Sequence, residues 1–344
     1  MRGYPLPRSV RSEHRVVVPT RRDDFAGLHL RAAYGVIIVA DLEAVGAGPS
    51  IRQRLVREGV LTLVRPGVYV LGRPTGAWEQ NGAIALAAAG RDAVLARSSA
   101  ARLWKLDGFT VRPADPPSLL PISVNVGRGA GRRGADVHRV PPLEQAAVED
   151  GLRITGINQT LIDVGANLIA TTSPGGHVLT PADQVELALE SALHKKRTTI
   201  ECVTRLLQDS HPQREGATVL RAVLARRPVG AAATESWLET RTVQVLRNAG
   251  IVNVERQVRM VDRHGAFIGR VDLKIGWVII ECDGREFHGD FDADRARWAA
   301  LHAIGYLVLP ATFRLVELRT TEFLGSLHDL SAKAAESAFS PRAD

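Results

Sequence analysis

Acidic residues surround one strongly apolar stretch near the C-terminal end of the chain. Residues 277–280 read Trp-Val-Ile-Ile, which predicts a buried strand, and Glu281 and Asp283 follow it directly. Side chains alternate along a strand, so these two acids would point to the same face. Asp272 lies on the preceding predicted strand, and a tight antiparallel hairpin turning at Gly276 would bring it to the same strand end. Crowded, dehydrated carboxylates repel one another, so the spacing favours a hard divalent cation, Mg2+ or Mn2+.

A plainer explanation of the same acids is a solvated turn, because acids followed by a glycine are common at strand ends. The elements around them favour the metal site. Apolar periodicity predicts a helix over 236–248, then the hairpin, a helix over 292–304 and a strand at 306–309. This order, with acids at the hairpin, resembles the α/β core of metal-dependent nucleases of the PD-(D/E)XK type.

Several short motifs recur in order within residues 233–335. They are Ser-Trp-Leu-Glu-Thr-Arg from 236, Asn-Ala-Gly from 248, Gly-Arg-Val-Asp from 269, Glu-Cys-Asp-Gly from 281, His288, Asp-Arg from 294 and Gly-Tyr-Leu-Val-Leu from 305. Together they resemble the domain related to the very-short-patch mismatch-repair endonucleases. The resemblance implies a metal site formed by Glu239, Asp272, Glu281 and Asp283.

One position departs from the pattern of those nucleases. The lysine that usually ends their E-x-K motif is Asp283 here. Its water-activating and charge-stabilising role would then fall to His288 or Arg295, or be absent. Each candidate also has a plainer explanation. Glu239 lies three residues after Ser236, the spacing of a capping box, while His288 fits a surface histidine and Arg295 an intrahelical ion pair.

Residues 35–75 form a second region of interest. Helices are predicted at 39–44 and 51–58, the second capped by Ser50, and a β-hairpin is predicted over 61–71. Helix, turn, helix and hairpin follow one another in a winged helix, whose second helix enters the major groove of DNA. The candidates to contact bases or phosphates are Ser50, Arg52, Gln53 and Arg57. The alternative is the solvated face of an amphipathic helix.

The segment Arg-Pro-Gly-Val-Tyr from 65 makes this region similar to the N-terminal winged helix of AbiEi-type antitoxins of the type IV toxin–antitoxin systems. Residues 137–139 and 155–163 resemble the middle region of the same family. Within that region we expect Asn158, Thr160 and Asp163 at a helix entry and on the surface, not in catalysis. The loop at 127–134, rich in glycine and arginine, is expected to be a hairpin tip that contacts DNA.

Charge and composition indicate which class of partner this chain would bind and where it would be found. The formal net charge of +7 fits a polyanion such as DNA, and the 45% hydrophobic content is that of an ordinary soluble protein. No apolar run approaches the roughly 18 to 20 residues that span a bilayer, so we expect a cytoplasmic protein without a membrane partner. Cys202 and Cys282 lie in apolar patterns and are expected to be buried thiols, not a disulfide.

The sequence thus predicts a multi-domain α/β (α+β) protein. A flexible basic arm, or upstream sequence with no fold of its own, covers 1–34, a winged helix 35–75, a mixed α/β and helical region 79–232, and an endonuclease-like domain 233–335. We expect a DNA-binding protein whose Mg2+-dependent endonuclease domain hydrolyses DNA phosphodiester bonds. The alternatives are a non-catalytic transcriptional regulator or antitoxin-like protein that retains the nuclease fold, and a protein-interaction scaffold. DNA is the expected partner, with a cognate toxin or repair protein implied by the resemblances.

Overall fold

The computed structural model describes residues 33–109, 120–124, 135–166, 168, 170–283 and 291–339. Backbone alone is placed at 120–124, 135–136, 283, 291–294 and 337–339. Helices and sheets alternate throughout, which confirms the mixed α/β class. The described residues form two compact units, drawn from Met1–Ala93 with Gly127–Val137 and from Val94–Val126 with His138–Asp344. The predicted basic arm, apart from 33 and 34, and the loop at 127–134 lie outside the described residues.

The first unit is built on a three-stranded antiparallel sheet. Its elements are a 3-10 turn at Ala33–Gly35, β1 (Val36–Ile38), α1 (Val39–Ala44), α2 (Pro49–Arg57), β2 (Leu61–Arg65), β3 (Val68–Leu71) and α3 (Trp78–Ala89). The strand order is β1-β3-β2, so the predicted hairpin over 61–71 is confirmed. Gly67 takes a φ of 74° in its turn, a conformation that glycine adopts without strain. Leu42, Leu55 and Leu61 are buried in the core between helices and sheet.

The predicted start of α2 is wrong by two residues. Ser50 lies inside the first turn, and the N-cap position belongs to Gly48. Pro49 explains the difference, because proline lacks the N–H that the first helical position leaves unbonded and its fixed φ suits that position. Ser50 is therefore a helix residue exposed to solvent.

The middle of the chain is mainly helical. Its elements are β4 (Ala93–Leu95), α4 (Arg97–Leu103), β5 (Leu120–Val124), β6 (Ala135–Arg139), β7 (Ala147–Glu149), β8 (Leu152–Ile154), α5 (Ile157–Val164), β9 (Thr171–Thr172), β10 (Val178–Leu179), α6 (Pro181–His194), α7 (Ile200–Asp209) and α8 (Ala217–Arg226). The Thr180 hydroxyl accepts a hydrogen bond from the Asp183 N–H and caps the start of α6.

Two expectations about this region are wrong. Thr160 and Asp163 are buried, not on the surface, because α5 packs against α4, α6, α7 and α8 and little of it faces solvent. Cys202 is exposed, because it lies in the first turn of α7 while Val203 and Leu207 form the buried face of that helix. Cys282 is half-buried.

The C-terminal part of the second unit carries the acidic motifs. It contains α9 (Trp237–Asn248), β11 (Glu255–Val261), β12 (Phe267–Ile275), β13 (Val278–Asp283), α10 (Phe291–Ala303), β14 (Leu307–Thr312), a π-helical turn at Arg314–Leu318 and α11 (Thr320–Phe339). The predicted helix, hairpin, helix and strand are present in that order, but an additional strand, β11, precedes the hairpin. β11, β12 and β13 are antiparallel neighbours, and β14 lies parallel to β13 after the crossover through α10.

Apolar residues cover both faces of this four-stranded sheet. On one face Leu273 and Ile280 pack with Leu246 of α9 and Phe323 of α11. On the other face Ile279 packs with Leu301 of α10. Each such side chain contributes roughly 1.5–3 kcal/mol by its removal from water, so the sheet is held firmly between its helices. Among the described residues, no helix is both long enough and apolar enough to span a membrane.

Candidate functional site

Asp272 lies where the pairing of β12 and β13 ends. The two strands are paired from Ile275 opposite Val278 to Leu273 opposite Ile280. One residue further along β12, the Oδ2 atom of Asp272 accepts a hydrogen bond from the backbone N–H of Cys282 at 2.8 Å. The carboxylate thus takes the place that a backbone carbonyl would fill in a continuing ladder. The hairpin turns at Gly276, as predicted, and Asp272 and Glu281 are the residues that directly follow its last pair, Leu273 with Ile280.

Glu281 is buried on the side of β13 that faces α10. Its neighbour on that side, Ile279, packs against Leu301, and alternation along the strand sends the Glu281 carboxylate the same way. Only 5% of Glu281 is exposed. Its Oε1 atom lies 3.1 Å from Nη1 of Arg297 on α10. A cationic side chain therefore accompanies this buried carboxylate.

Glu239 lies in the first turn of α9 and is close to Asp272. The Ser236 hydroxyl accepts a hydrogen bond from the Glu239 N–H at 3.1 Å, and Oε2 of Glu239 accepts one from the Glu235 N–H at 3.0 Å. The same Oε2 accepts a hydrogen bond from the Gln257 amide at 2.9 Å. Burial, reinforced by the negative charge of Asp272, raises the pKa of Glu239 to about 7. Only the Ser236 half of the predicted capping box forms, because the Glu239 carboxylate accepts from the Glu235 N–H instead of the Ser236 N–H.

Electrostatics disfavour several negative charges in this site. Burial also raises the pKa of Asp272, although the Cys282 N–H and the charge of Arg297 act in the opposite direction. Buried carboxylates whose ionised forms are disfavoured are characteristic of places that receive a cation. Carboxylate oxygens are also the ligands that Mg2+ prefers. The carboxylates of Glu239, Asp272 and Glu281 are therefore ligands of the chemical type that Mg2+ or Mn2+ binds.

Gln257 is a site residue that the sequence analysis missed. Its backbone has a φ of 53° inside β11, and the ladder skips it, since Arg256 pairs with Leu273 and Val258 pairs with Val271. The skipped residue turns its amide to Glu239 and also hydrogen-bonds the Asp272 side chain. A single glutamine in a strand-like segment carries no signal of this role. Only the left-handed backbone and its two acidic contacts reveal it.

The remaining C-terminal candidates separate into three cases. Asp283 ends β13 with its backbone paired to Thr312, and its side chain is not described. His288 lies outside the described residues. Arg295 is exposed on α10, whereas Arg297, two residues later, contacts Glu281. Among the side chains that are placed, no three His, Cys, Asp or Glu residues lie close enough together to hold a metal ion.

The N-terminal candidates lie on α2. Ser50, Gln53 and Arg57 are exposed. Arg52 is engaged within the unit, because its Nη1 donates to Glu43 Oε1 and to the Ala47 carbonyl, each at 3.1 Å. A cavity of about 290 Å³ adjoins the helix. It is lined by Pro49, Arg52, Gln53, Val56, Leu63 and Tyr69.

The sheet and its acids define the class of this part of the molecule, a mixed α/β fold with buried carboxylates at a strand end. Comparison with protein-family models gave no match, and a search of the curated proteins gave no significant match either. The residues of the site are therefore the basis for inferring function.

Proposed function

We propose that this chain is a DNA-binding protein whose C-terminal part is a Mg2+- or Mn2+-dependent endonuclease that hydrolyses phosphodiester bonds. The observation that carries the proposal is that Asp272, half-buried, and Glu281, buried, follow the last pair of β12 and β13, with Glu239 near enough to Asp272 for the charge of Asp272 to raise its pKa. In this proposal residues 233–335 are a PD-(D/E)XK-type core related to the very-short-patch repair endonucleases. Residues 35–75 are a winged helix of the AbiEi type.

Asp272 and Glu281 would hold the cation, with Asp283 assisting and Glu239 completing the site. The chemistry that a bound divalent cation supplies is a lower pKa for water and stabilisation of the charge that develops on phosphorus oxygens. Glu239 contributes proton chemistry of its own. Its Oε2 accepts two hydrogen bonds, so Oε1 is the atom that carries the proton when the group is neutral. A carboxyl group with a pKa of about 7 holds or releases that proton near neutral pH.

In this proposal the exposed face of α2 contacts DNA. Gln53 contacts the bases and Arg57 binds a phosphate. The net charge of +7 supports a polyanionic partner. Arg52 instead supports the helix, since both hydrogen bonds of its guanidinium are made inside the unit. The cavity next to Gln53 is lined by both polar and apolar side chains, so this face has a recess that a flat helix surface lacks.

A non-catalytic regulator is the second candidate, and the ion pair of Arg297 with Glu281 favours it. A guanidinium beside the carboxylate neutralises charge without any metal. In this reading the nuclease fold serves as a binding module, and Asp283, in place of the usual lysine, marks the loss of catalysis.

Cleavage assays with supercoiled plasmid and mismatched duplex, in Mg2+ and in Mn2+, test the proposal. The wild-type chain should cleave, and Asp272→Ala and Glu281→Ala should abolish cleavage while duplex binding persists. Asp329→Ala is the matched control, because Asp329 is exposed on α11. Folded wild-type protein that binds duplex with either metal and cleaves neither substrate would contradict the nuclease proposal. The regulator would then be supported by salt-sensitive, metal-independent binding.

A further inference from the structure

Arg297 links α10 to the acidic site through contacts at its guanidinium. Its Nη1 lies 3.1 Å from Oε1 of Glu281 and donates to the Arg270 carbonyl at 3.3 Å. Its positive charge also acts on Asp272, where it opposes the effect of burial on the pKa of that carboxyl group. The positive charge of one guanidinium therefore acts on both carboxylates that would hold a cation.

The sheet is shaped to receive the stem of this arginine. A Cβ atom added to Gly269 would lie 2.9 Å from Cδ and 3.5 Å from Cγ of Arg297. A Cβ atom at that distance would force the arginine stem to shift, so glycine at this position allows the stem to lie where it does. Gly269 is the first residue of the Gly-Arg-Val-Asp motif. The glycine and the aspartate of that motif thus act on the same site, one by seating Arg297 and the other by supplying a carboxylate.

We infer that Arg297 is a positioning residue of the proposed nuclease, a fixed cation that orients Glu281 and sets how tightly the site takes up a divalent metal ion. This inference rests on the proposed function for its catalytic readout only. Ionised Asp272 and Glu281 carry two negative charges, and Arg297 offsets one of them. Metal affinity of a carboxylate site rises with its negative charge, so loss of Arg297 should strengthen metal binding. Loss of the contact should also free the Glu281 side chain, which should slow the reaction.

If Arg297 has this role, its loss should strengthen Mn2+ binding and slow DNA nicking. A residue that only supports the fold would not change the two measurements in opposite directions. The variants are Arg297→Met, which removes the charge and keeps the stem, and Arg297→Lys, which keeps the charge. Mn2+ affinity is measured on the full chain by titration calorimetry, and plasmid nicking is measured at saturating Mn2+. Arg297→Met should bind Mn2+ about ten-fold more tightly, the effect of removing one nearby charge. It should nick about 100-fold more slowly through lost orientation, with KM for DNA unchanged.

Arg297→Lys should keep the wild-type Mn2+ affinity and recover part of the nicking rate. Arg319→Met is the charge-matched control, because Arg319 pairs with Glu322 at the surface. Gly269→Ala displaces the arginine stem without changing charge, and it should move both measurements in the directions of Arg297→Met by a smaller factor. If Arg297→Met does not fold, Gly269→Ala decides the matter.

Wild-type or weaker Mn2+ binding by folded Arg297→Met, or by Gly269→Ala in its place, would overturn the inference. Tighter Mn2+ binding with nicking as fast as the wild type would overturn the positioning role. If no protein in the series nicks DNA but Arg297→Met binds Mn2+ more tightly, the proposed nuclease function fails. The control of metal uptake by Arg297 then stands.

Discussion

The Gln257 amide donates to Oε2 of Glu239 at 2.9 Å from a backbone held at a φ of 53°. For a residue with a side chain, this left-handed conformation costs about 1–2 kcal/mol. It also removes Gln257 from the ladder between β11 and β12. Backbone strain of this kind persists where the surrounding structure enforces it, and it concentrates at functional sites. The strained backbone of Gln257 therefore positions its side-chain amide to hydrogen-bond the acidic residues.

Substitutions of Gln257 separate the strain from the hydrogen bond. Gln257→Gly and Gln257→Ala both remove the amide, but only glycine adopts the positive φ freely. We expect Gln257→Gly to be more stable than Gln257→Ala by about 1 kcal/mol. Urea unfolding of the two variants measures the difference. Equal stability, or a more stable alanine variant, would contradict the left-handed backbone, and both variants should lose cleavage activity.

The raised pKa of Glu239 predicts a loss of stability as pH rises. Its pKa is about 7 in the folded chain against an ordinary 4.5, so above pH 4.5 the unfolded chain ionises this group while the folded chain keeps it protonated. The free energy of unfolding should therefore fall between pH 4.5 and 7, by on the order of 3 kcal/mol, and level off above. Glu239→Gln should lack this contribution.

Urea unfolding of the wild type and Glu239→Gln at pH 5 and pH 8 measures the difference between the two pH dependences. Other groups titrate in both proteins and cancel. Mg2+ or Mn2+ at pH 8 should restore stability to the wild type more than to Glu239→Gln. A pH dependence that is the same in both proteins would show that Glu239 does not ionise abnormally.

A buried ion pair in the helical region supplies a stability prediction independent of the acidic site. Nη2 of Arg214 lies 2.9 Å from Oδ1 of Asp163, and both side chains are almost fully buried. Arg214→Met would leave the Asp163 carboxylate buried without its partner, at a cost of about 3–5 kcal/mol. Arg319→Met breaks the exposed pair with Glu322 and should cost less than about 1 kcal/mol. Thermal or urea unfolding compares them, and equal losses would contradict the buried pair.

Two arginines of α2 should behave differently toward DNA. Arg57 is exposed, and Arg57→Ala should weaken duplex binding. Because one phosphate contact is lost, the slope of log K against log salt concentration should become smaller by about one. Arg52 bonds Glu43 and the Ala47 carbonyl, so Arg52→Ala should lower stability by about 1 kcal/mol. Fluorescence anisotropy over a salt series measures the first effect and urea unfolding the second. Duplex affinity and salt slope unchanged in Arg57→Ala would remove α2 from the DNA interface.

Long periodic segments of this chain were predictable because local pattern and final environment agree. Val278–Ile280 of the predicted strand lie in β13, which ends at Asp283 as the spacing of the acids indicated, but Trp277 lies in the turn and is exposed, because it follows Gly276 where the hairpin reverses. Helix α9 begins directly after Ser236, as predicted, because the Ser236 hydroxyl caps an N–H of the first turn. Where local signals competed, prediction failed. Pro49 outweighed Ser50 at the start of α2.

The rest depended on tertiary contacts that spacing does not encode. Asp163 was expected on the surface, since nothing in the sequence shows that four neighbouring helices enclose α5. Gln257 lies in the site because its backbone is left-handed, a conformation that its residue type does not predict. Arg295 and Arg297 are equally basic and two positions apart, and only the packing of α10 over Gly269 directs the second of them to Glu281.

Nicking of supercoiled plasmid by Asp272→Asn, compared with the wild type in Mn2+, tests the central claim most directly. The substitution keeps the size of the side chain and its acceptor for the Cys282 N–H, but removes the charge. If the buried carboxylates form a nuclease site, the wild type nicks the plasmid, and Asp272→Asn binds duplex equally well and nicks at least about 100-fold more slowly. Nicking at the wild-type rate by folded Asp272→Asn would contradict the account.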